Sequence, residues 1–266
     1  MTSDLNTLDR LPSVVVGGFL TVSATRKELA EAMVRDCFAA RGHTDSWVPK
    51  LVFSSNGQGI ALAGQNQAFA EVMKQADIVH ADGMPVVLAS RVTRAPLPER
   101  IATTDFFHDA AEAASQHGLK FFILGAREEQ NASVVEAIGR LYPRVEIVGR
   151  HHGYFGEDQD DAVCAQIRAS GADVLWVALG KPRQEFWCVR NRKKLNGIGW
   201  VKTCGGLYAF LTGEAPRAPD WMQRLSLEWL YRTMDDPKRL IWRYLTTNPY
   251  SFYRLLRYTE RARKAQ

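Results

Sequence analysis

Between Lys50 and Thr203 the chain repeats one unit. A short run rich in β-branched and aromatic residues gives way to a polar or glycine-rich turn, and then to helical spacing. The strand-like runs are Lys50–Phe53, Ala76–Val79, Lys120–Leu124, Val145–Val148, Asp173–Leu179 and Gly199–Thr203. Parallel strands need a long crossover, and a helix is the usual one, so strands alternating with helices point to a mostly parallel sheet. The expected fold is α/β: a Rossmann-like, mostly parallel sheet with helices on both faces. Helices are expected at Thr25–Ala40, where Leu29, Met33 and Cys37 share a face, at Gln65–Gln75, at Thr104–Gln116, after Ala126 as far as Leu141, at Asp160–Ala169, and from Gln184 to Leu195. Val14–Val22 reads as a strand pair or a bent strand around Gly17-Gly18.

Each strand-like run ends in residues able to do chemistry. They are Ser54-Ser55-Asn56-Gly57, His80-Ala81-Asp82-Gly83, Gly125-Ala126-Arg127, His151-His152-Gly153-Tyr154, Gly180-Lys181-Pro182-Arg183-Gln184 and Cys204-Gly205-Gly206. In open α/β sheets ligands bind outside the carboxyl ends of the strands, so these loops should meet at one crevice. Asp82 stands at such an end, with Gly83 for a sharp turn and Pro85 suited to a first helical turn. Its carboxylate can take a proton from a substrate hydroxyl, or it can simply cap the following helix. His80 is two residues earlier and points the same way.

The net charge of +5 is concentrated in one place. From Glu214 onward there are eleven basic and six acidic residues, so this tail carries the whole excess. Trp221, Trp229, Tyr231, Trp242, Tyr244, Tyr250, Phe252, Tyr253 and Tyr258 are interleaved with them. Asp236-Pro237 and Asn248-Pro249 suggest breaks between short helices. The expected organisation is therefore an α/β catalytic domain over 1–213 and a helical, membrane-associating appendage over 214–266. If Tyr250–Lys264 is helical, Arg254, Arg257, Arg261 and Lys264 share one side, opposite Phe252, Leu255 and Leu256. An anionic bilayer or a single-stranded nucleic acid would suit such a surface. No apolar run reaches the ~20 residues of a membrane span, and Met1–Pro12 does not read as a signal peptide. Cys37, Cys164, Cys188 and Cys204 form no CxxC pair, which fits a reduced compartment.

Other motifs narrow the chemistry. Gly125-Ala126 could bring backbone N–H groups to a diphosphate, yet GxGxxG and the P-loop pattern are both missing. Asp158 and Asp160 form a DxD of the sort that holds a metal. At a helix start they are equally explained by the macrodipole. No metal or cofactor is expected. Tyr154 could stack on a base or a sugar, and Lys181 with Gln184 suits an anionic, hydroxylated ligand.

Taken in order, these loops resemble the WecG/TagA/CpsF glycosyltransferases, glycosyltransferase family 26. The resemblance runs from about Leu51 to Pro249. It rests on Ala81-Asp82-Gly83, Leu97-Pro98-Glu99-Arg100, Leu124-Gly125, His152-Gly153-Tyr154-Phe155, Leu179-Gly180-x-Pro182-x-Gln184-Glu185, Gly205-Gly206, Arg217-Ala218-Pro219-x-Trp221 and Leu227-Glu228-Trp229-Leu230-Tyr231-Arg232. It implies inverting, metal-independent transfer from a UDP-sugar to a sugar on undecaprenyl diphosphate, at the cytoplasmic face of the plasma membrane. In that scheme Asp82 is the base. Ser54, Asn56, His80, Gly83, Gly125, Ala126, Tyr154, Lys181, Gln184, Gly205 and Gly206 line the substrate site, and Arg232, Arg239 and Arg243 meet the diphosphate. A peripheral membrane protein is implied, with no nucleic-acid partner and with room for a homo-oligomer.

Two departures stand out: His80, where Asn is frequent, and Ala209, where the family has Asp. The wording around Phe53–Gly59 and His80–Pro85 resembles the exopolysaccharide branch, of xanthan or sphingan type, which implies glucose or glucuronic acid as the sugar. The alternative is an N-acetylmannosamine(-uronic acid) transferase of teichoic-acid or enterobacterial-antigen type. A basic RNA-binding protein is a third reading, and it leaves the crevice motifs without a role.

Overall fold

The computed structural model describes residues 11–43, 46–215, 218–219, 222, 230–231, 233 and 237–262, with backbone alone at 237–241, 243 and 244. A hairpin of β1 (Ser13–Val16) and β2 (Phe19–Val22) leads into α1 (Arg26–Arg41). The strands β3 (Lys50–Ser55), β4 (Ile78–Ala81), β5 (Lys120–Gly125), β6 (Glu146–His151), β7 (Val174–Ala178) and β8 (Trp200–Thr203) form one parallel sheet in the order β4-β3-β8-β7-β5-β6.

The helices between them are α2 (Gly57–Gln65), α3 (Gln67–Lys74), α4 (Met84–Ser90), α5 (Thr103–His117), α6 (Glu128–Leu141), α7 (Asp160–Ala169), α8 (Arg183–Asn191) and α9 (Leu207–Leu211). A long helix, α10 (Pro237–Arg257), comes last. The expected α/β fold is therefore the observed one, a parallel sheet wrapped on both faces.

Alternation along each strand builds a separate core on each face. In β5, Phe122 and Leu124 join Phe53, Val177 and Val201 under α2, α3, α7 and α8. Phe121 and Ile123 instead join Phe106, Phe107, Trp176 and Trp200 under α1, α5 and α6. Both sets are fully buried, as a doubly covered parallel sheet requires. After β5 the chain turns toward β6, and after β7 it turns the other way toward β8. The winding thus reverses between β5 and β7, the kind of switch point beside which open α/β sheets bind ligands at their carboxyl edge.

Several boundaries differ from expectation. Strand β3 runs two residues further than Phe53, so Ser54 and Ser55 are sheet residues and not loop. Helix α2 directly follows Asn56, whose side chain accepts from the Gly59 N–H at 3.0 Å. Its three glycines disguise it. They serve close packing, not propensity: a Cβ at Gly64 would lie 2.5 Å from Tyr250 Cε1 and 2.7 Å from Arg254 Cδ.

Gly83 lies in ordinary extended backbone (φ −114°) and makes no turn that only glycine could make. Its bareness matters because a Cβ would press on Asn56 Cβ at 3.4 Å. Pro249 lies inside α10 and does not end it, although it removes one N–H from the ladder. Packing on α2 holds the helix together there, through buried Ser251 and Leu255 and through Tyr250, which donates to Gly64 O at 3.1 Å.

Helix α10 ends at Arg257, so Arg261 is not helical and Lys264 lies outside the described residues. Arg254 sits over the Tyr258 ring at 4.6 Å and is not part of a free basic face. Leu255 points inward, while Phe252 and Leu256 are exposed. The chain then returns to the hairpin, where Gly18 N–H donates to Tyr258 O and Glu260 N–H to Val15 O, both at 2.9 Å.

Candidate active site

The carboxyl edge gathers residues from β3, β4, β7 and β8 that lie far apart in sequence. Registers Ser54↔His80 and Ser55↔Ala81 put Asn56 beside Asp82. Asn56 Nδ2 lies 3.4 Å from Asp82 Oδ2. Asp82 does not cap α4, the helix that follows it. Its Oδ1 accepts instead from the Thr103 N–H, at 3.1 Å, at the start of α5. One oxygen is thus oriented by backbone and the other faces Asn56. The capping role is real, but it serves a different helix and leaves Oδ2 at the crevice.

Lys181 ties two strand ends together. Its Nζ donates to Ser54 O and meets Glu185 Oε1, each at 3.2 Å, and lies over the Phe69 ring. Gln184 is buried between two partners: its Nε2 donates to Glu185 Oε1 at 2.9 Å, and its Oε1 accepts from the Gly205 N–H at 3.2 Å. Gly205 adopts φ +53°, which turns the chain so that Gly206 can head α9. Lys181, Gln184, Gly205, Ser54, Asn56 and Asp82 therefore belong to one connected cluster.

The loop after β5 meets β7 and β6. Gly125 has φ +126°, and a Cβ there would collide with the Ala178 carbonyl. Ala126 takes φ +60°, and its N–H is spent on Ala178 O at 3.3 Å. That donor, expected to meet a diphosphate, is committed to the fold. Buried Asn131 holds the loop by donating to Gly125 O at 2.8 Å and to His151 O at 3.1 Å. Tyr154 is 67% exposed and stands as an unburied aromatic face beyond the end of β6.

His80 departs from its expected role. It is fully buried on the α5 face, its ring tilted against Phe106 at 6.2 Å, and its Nδ1 lies 2.9 Å from Ile101 O. It underlies the crevice and does not line it. A carbonyl only accepts, so Nδ1 carries the proton and Nε2 is a bare acceptor with no partner. Burial, and then the Lys202 and Lys181 charges, push the imidazole well below its ordinary pKa.

Lys202 escaped sequence reasoning. It occurs in a strand that reads as a plain buried run, and nothing in its spacing marks it. It is fully buried, and its Nζ donates to Thr203 O at 2.5 Å. Burial lowers its pKa from 10.5 to about 8, against the opposing influence of Cys204, Asp82 and Glu185. Burial likewise pushes the Cys204 thiol up to about 12, so it is no nucleophile.

The DxD is absorbed by structure. Asp160 starts α7 and accepts from Trp187 Nε1 at 2.8 Å, Asn191 Nδ2 at 2.8 Å and Arg190 Nε at 2.9 Å. Among the described residues no group of three His, Cys, Asp or Glu is arranged to hold a metal. Arg232 lies outside the described residues. Arg239 and Arg243 are on α10, where only the backbone is described.

Residues 16–265 match the family described as the glycosyl transferase WecG/TagA/CpsF family. The chain is also 34% identical, over 187 residues, to the N-acetylglucosaminyldiphosphoundecaprenol N-acetyl-beta-D-mannosaminyltransferase of Bacillus spizizenii strain W23. That alignment covers 70% of this chain and 71% of the relative.

Proposed function

We propose, for a chain that belongs to the WecG/TagA/CpsF glycosyltransferase family, transfer of N-acetylmannosamine from its UDP donor to N-acetylglucosamine on undecaprenyl diphosphate, with Asp82 as the base. The observation that carries this is the carboxylate itself. It stands at the carboxyl edge of β4, held by the Thr103 N–H on one oxygen and with the other facing the crevice beside Asn56. The relative named above supports the choice of sugar and acceptor.

In this reading Asp82 Oδ2 takes the acceptor hydroxyl proton as the oxygen attacks the anomeric carbon. The C–O bond to UDP breaks with inversion, and UDP leaves with the electron pair. A carboxylate is a weak base, but the alcohol becomes acidic as the new bond forms. Lys181 and the appendage arginines offset the charge growing on the leaving diphosphate. Helix α10 supports their reach. Asn248 and Ser251 face Gly57 while Tyr250 and Arg254 face Gly64, so α10 runs in the same direction as α2. Its amino-terminal half, with Arg239 and Arg243, continues past Asn56 toward the crevice.

The membrane reading rests on the outer side of the same helix. Trp242, Leu245, Phe252, Tyr253 and Leu256 are all more than half exposed and recur at helical spacing, amid basic residues. Among the described residues no helix is long and apolar enough to cross a membrane. This face would lie on the cytoplasmic surface of the plasma membrane, where the lipid-linked acceptor is anchored.

A second reading, transfer of glucose or glucuronic acid in exopolysaccharide assembly, draws on the wording around Phe53–Gly59 and His80–Pro85. One assay separates them. UDP-N-acetylmannosamine, UDP-glucose and UDP-glucuronate are each offered with prenyl-diphosphate-linked N-acetylglucosamine and glucose. Product from the first donor on N-acetylglucosamine is expected. Product only from UDP-glucose or UDP-glucuronate would replace this reading with the second.

A further inference from the structure

We propose that Glu185 is a positioning residue that acts through Lys181: a buried counter-ion that holds the ammonium at the crevice before the donor arrives, and that limits how tightly the crevice grips the diphosphate of the nucleotide product. This rests on the reading of Lys181 as a cation that meets that diphosphate.

Glu185 lies in the first turn of α8, where an acid is ordinarily a solvated charge facing the helix dipole. Here it is fully buried. Its hydrogen bonds all run through one oxygen. Oε1 accepts from Gln184 Nε2 at 2.9 Å and meets Lys181 Nζ at 3.2 Å. Oε2 is buried as well and has no partner among the described residues. Position in the helix therefore does not account for this carboxylate, and its ion pair with Lys181 does.

The surroundings of Lys181 show what is being held. Its side chain is only 10% exposed. Nζ donates to Ser54 O at 3.2 Å, at the end of β3, and lies 5.5 Å from the centre of the Phe69 ring. A Cβ on Gly59 would lie 3.2 Å from Nζ and 3.7 Å from Asn56 Oδ1. The ammonium thus rests against the first turn of α2, beside the Asn56 that faces Asp82. An ammonium has three N–H groups. Ser54 O and Glu185 Oε1 take two of them. The third is left for the crevice.

Charge balance sets the consequence. A lysine this buried needs a partner, and Glu185 is that partner. A diphosphate that meets the third N–H shares the ammonium with Glu185, whose charge offsets the attraction. At an effective dielectric of about 20, one unit charge a few ångströms away alters the affinity for an anion by on the order of tenfold or more. The pair therefore presents a preformed cation with a restrained hold on the product, which suits an enzyme that must release a nucleoside diphosphate in every turnover.

The test titrates the full chain with UDP, and with uridine as the probe that lacks phosphate, by calorimetry. Inhibition of the forward reaction by UDP is a second readout. Glu185→Gln keeps an oxygen toward Gln184 and Lys181, puts its amide nitrogen where Oε2 has no partner, and removes the charge. It should bind UDP on the order of tenfold more tightly, be inhibited by correspondingly less UDP, and bind uridine as the parent does. Lys181→Met should lose about as much UDP affinity and leave uridine unchanged. Added to Lys181→Met, Glu185→Gln should bring little gain, because what it releases is the ammonium.

A Glu185→Gln protein that binds UDP no more tightly than the parent would overturn the proposal. So would an equal gain for uridine, an undiminished gain in the Lys181→Met background, or a chain that stays unfolded even with UDP present, which would make Glu185 a support of the fold alone. Lys181→Met keeps the outcomes distinct. If it binds UDP like the parent, the placement of Lys181 at the diphosphate fails and the proposal goes with it. If it loses UDP affinity while Glu185→Gln gains none, only the role of Glu185 falls. A parent chain that binds no UDP removes the donor reading itself.

Discussion

Replacing Lys202 with Met should stabilise the fold at neutral pH, and the gain should fade as pH rises. Burial lowers the lysine pKa from 10.5 to about 8. A drop of that size means that keeping the ammonium inside costs roughly 3 kcal/mol below pH 8, at about 1.4 kcal/mol per unit. The sign is that of a depressed cation. The unfolded chain binds more protons between pH 8 and 10.5, so the penalty is fully present below pH 8 and is lifted as pH rises through that window. Met has nearly the volume of Lys and leaves little cavity. It gives up the hydrogen bond to Thr203, worth about 1 kcal/mol. The net expected gain is about 2 kcal/mol at pH 7, or roughly 4–8 °C in Tm for a chain of this size.

Differential scanning calorimetry of both proteins at pH 7, 8, 9 and 10 measures it. The difference between the two proteins is the quantity to follow. Cys37, Cys188 and Cys204, whose thiols are all raised by burial, make both proteins less stable above pH 9, because the unfolded thiols ionise first. Cys37 cancels in the difference; Cys188 and Cys204, which also feel the Lys202 charge, cancel only in part. A Lys202→Met protein no more stable than the parent at pH 7, or one whose advantage does not shrink by pH 10, would refute the reasoning.

Asp82→Asn should keep the Thr103 hydrogen bond and a normal melting curve while turnover drops by ~10²–10⁴; near-normal turnover in a steady-state assay would return Asp82 to a purely capping role. The reaction should proceed unchanged in EDTA, because Asp160 is occupied by Trp187, Arg190 and Asn191; loss of product with rescue by Mn²⁺ would restore the DxD as a metal site. Gly64→Ala should pry α10 from α2, because its Cβ would fall within 3 Å of Tyr250 and Arg254. The cost should be about 1–3 kcal/mol, seen as faster proteolysis within α10; a parent-like cleavage rate would contradict that packing. Anionic vesicles should retain the protein less well after Trp242→Ala with Leu245→Ala, and less well again in 1 M salt; equal retention would remove α10 from the membrane surface.

Much of this protein is legible in one dimension. The alternation of apolar runs with helical spacing determines a parallel, doubly covered sheet, because no other arrangement buries both faces of such strands. A parallel sheet sends every strand–helix turn to the same edge, so the candidate crevice follows too, with Asp82, Asn56, Lys181 and Gln184 in it. The family pattern is likewise a property of the linear order of motifs.

What the sequence leaves open depends on which strands become neighbours. Asp82 looks like a cap for the helix after it, yet it caps α5, because the chain from β4 loops back and places Thr103 above it. His80 looks like a crevice residue, yet α5 covers it. Helix α2 hides behind glycines whose purpose appears only when α10 lies against them, and Pro249 stays helical for the same tertiary reason. Lys202 is the clearest case. A lysine in an apolar run has no local signature, and only the pairing of β8 between β3 and β7 shows that its ammonium is fully buried, with Thr203 O as its partner. Spacing along the chain determines which way a side chain points. Which surroundings it meets is decided by strand order, and strand order is set by the packing of the whole sheet.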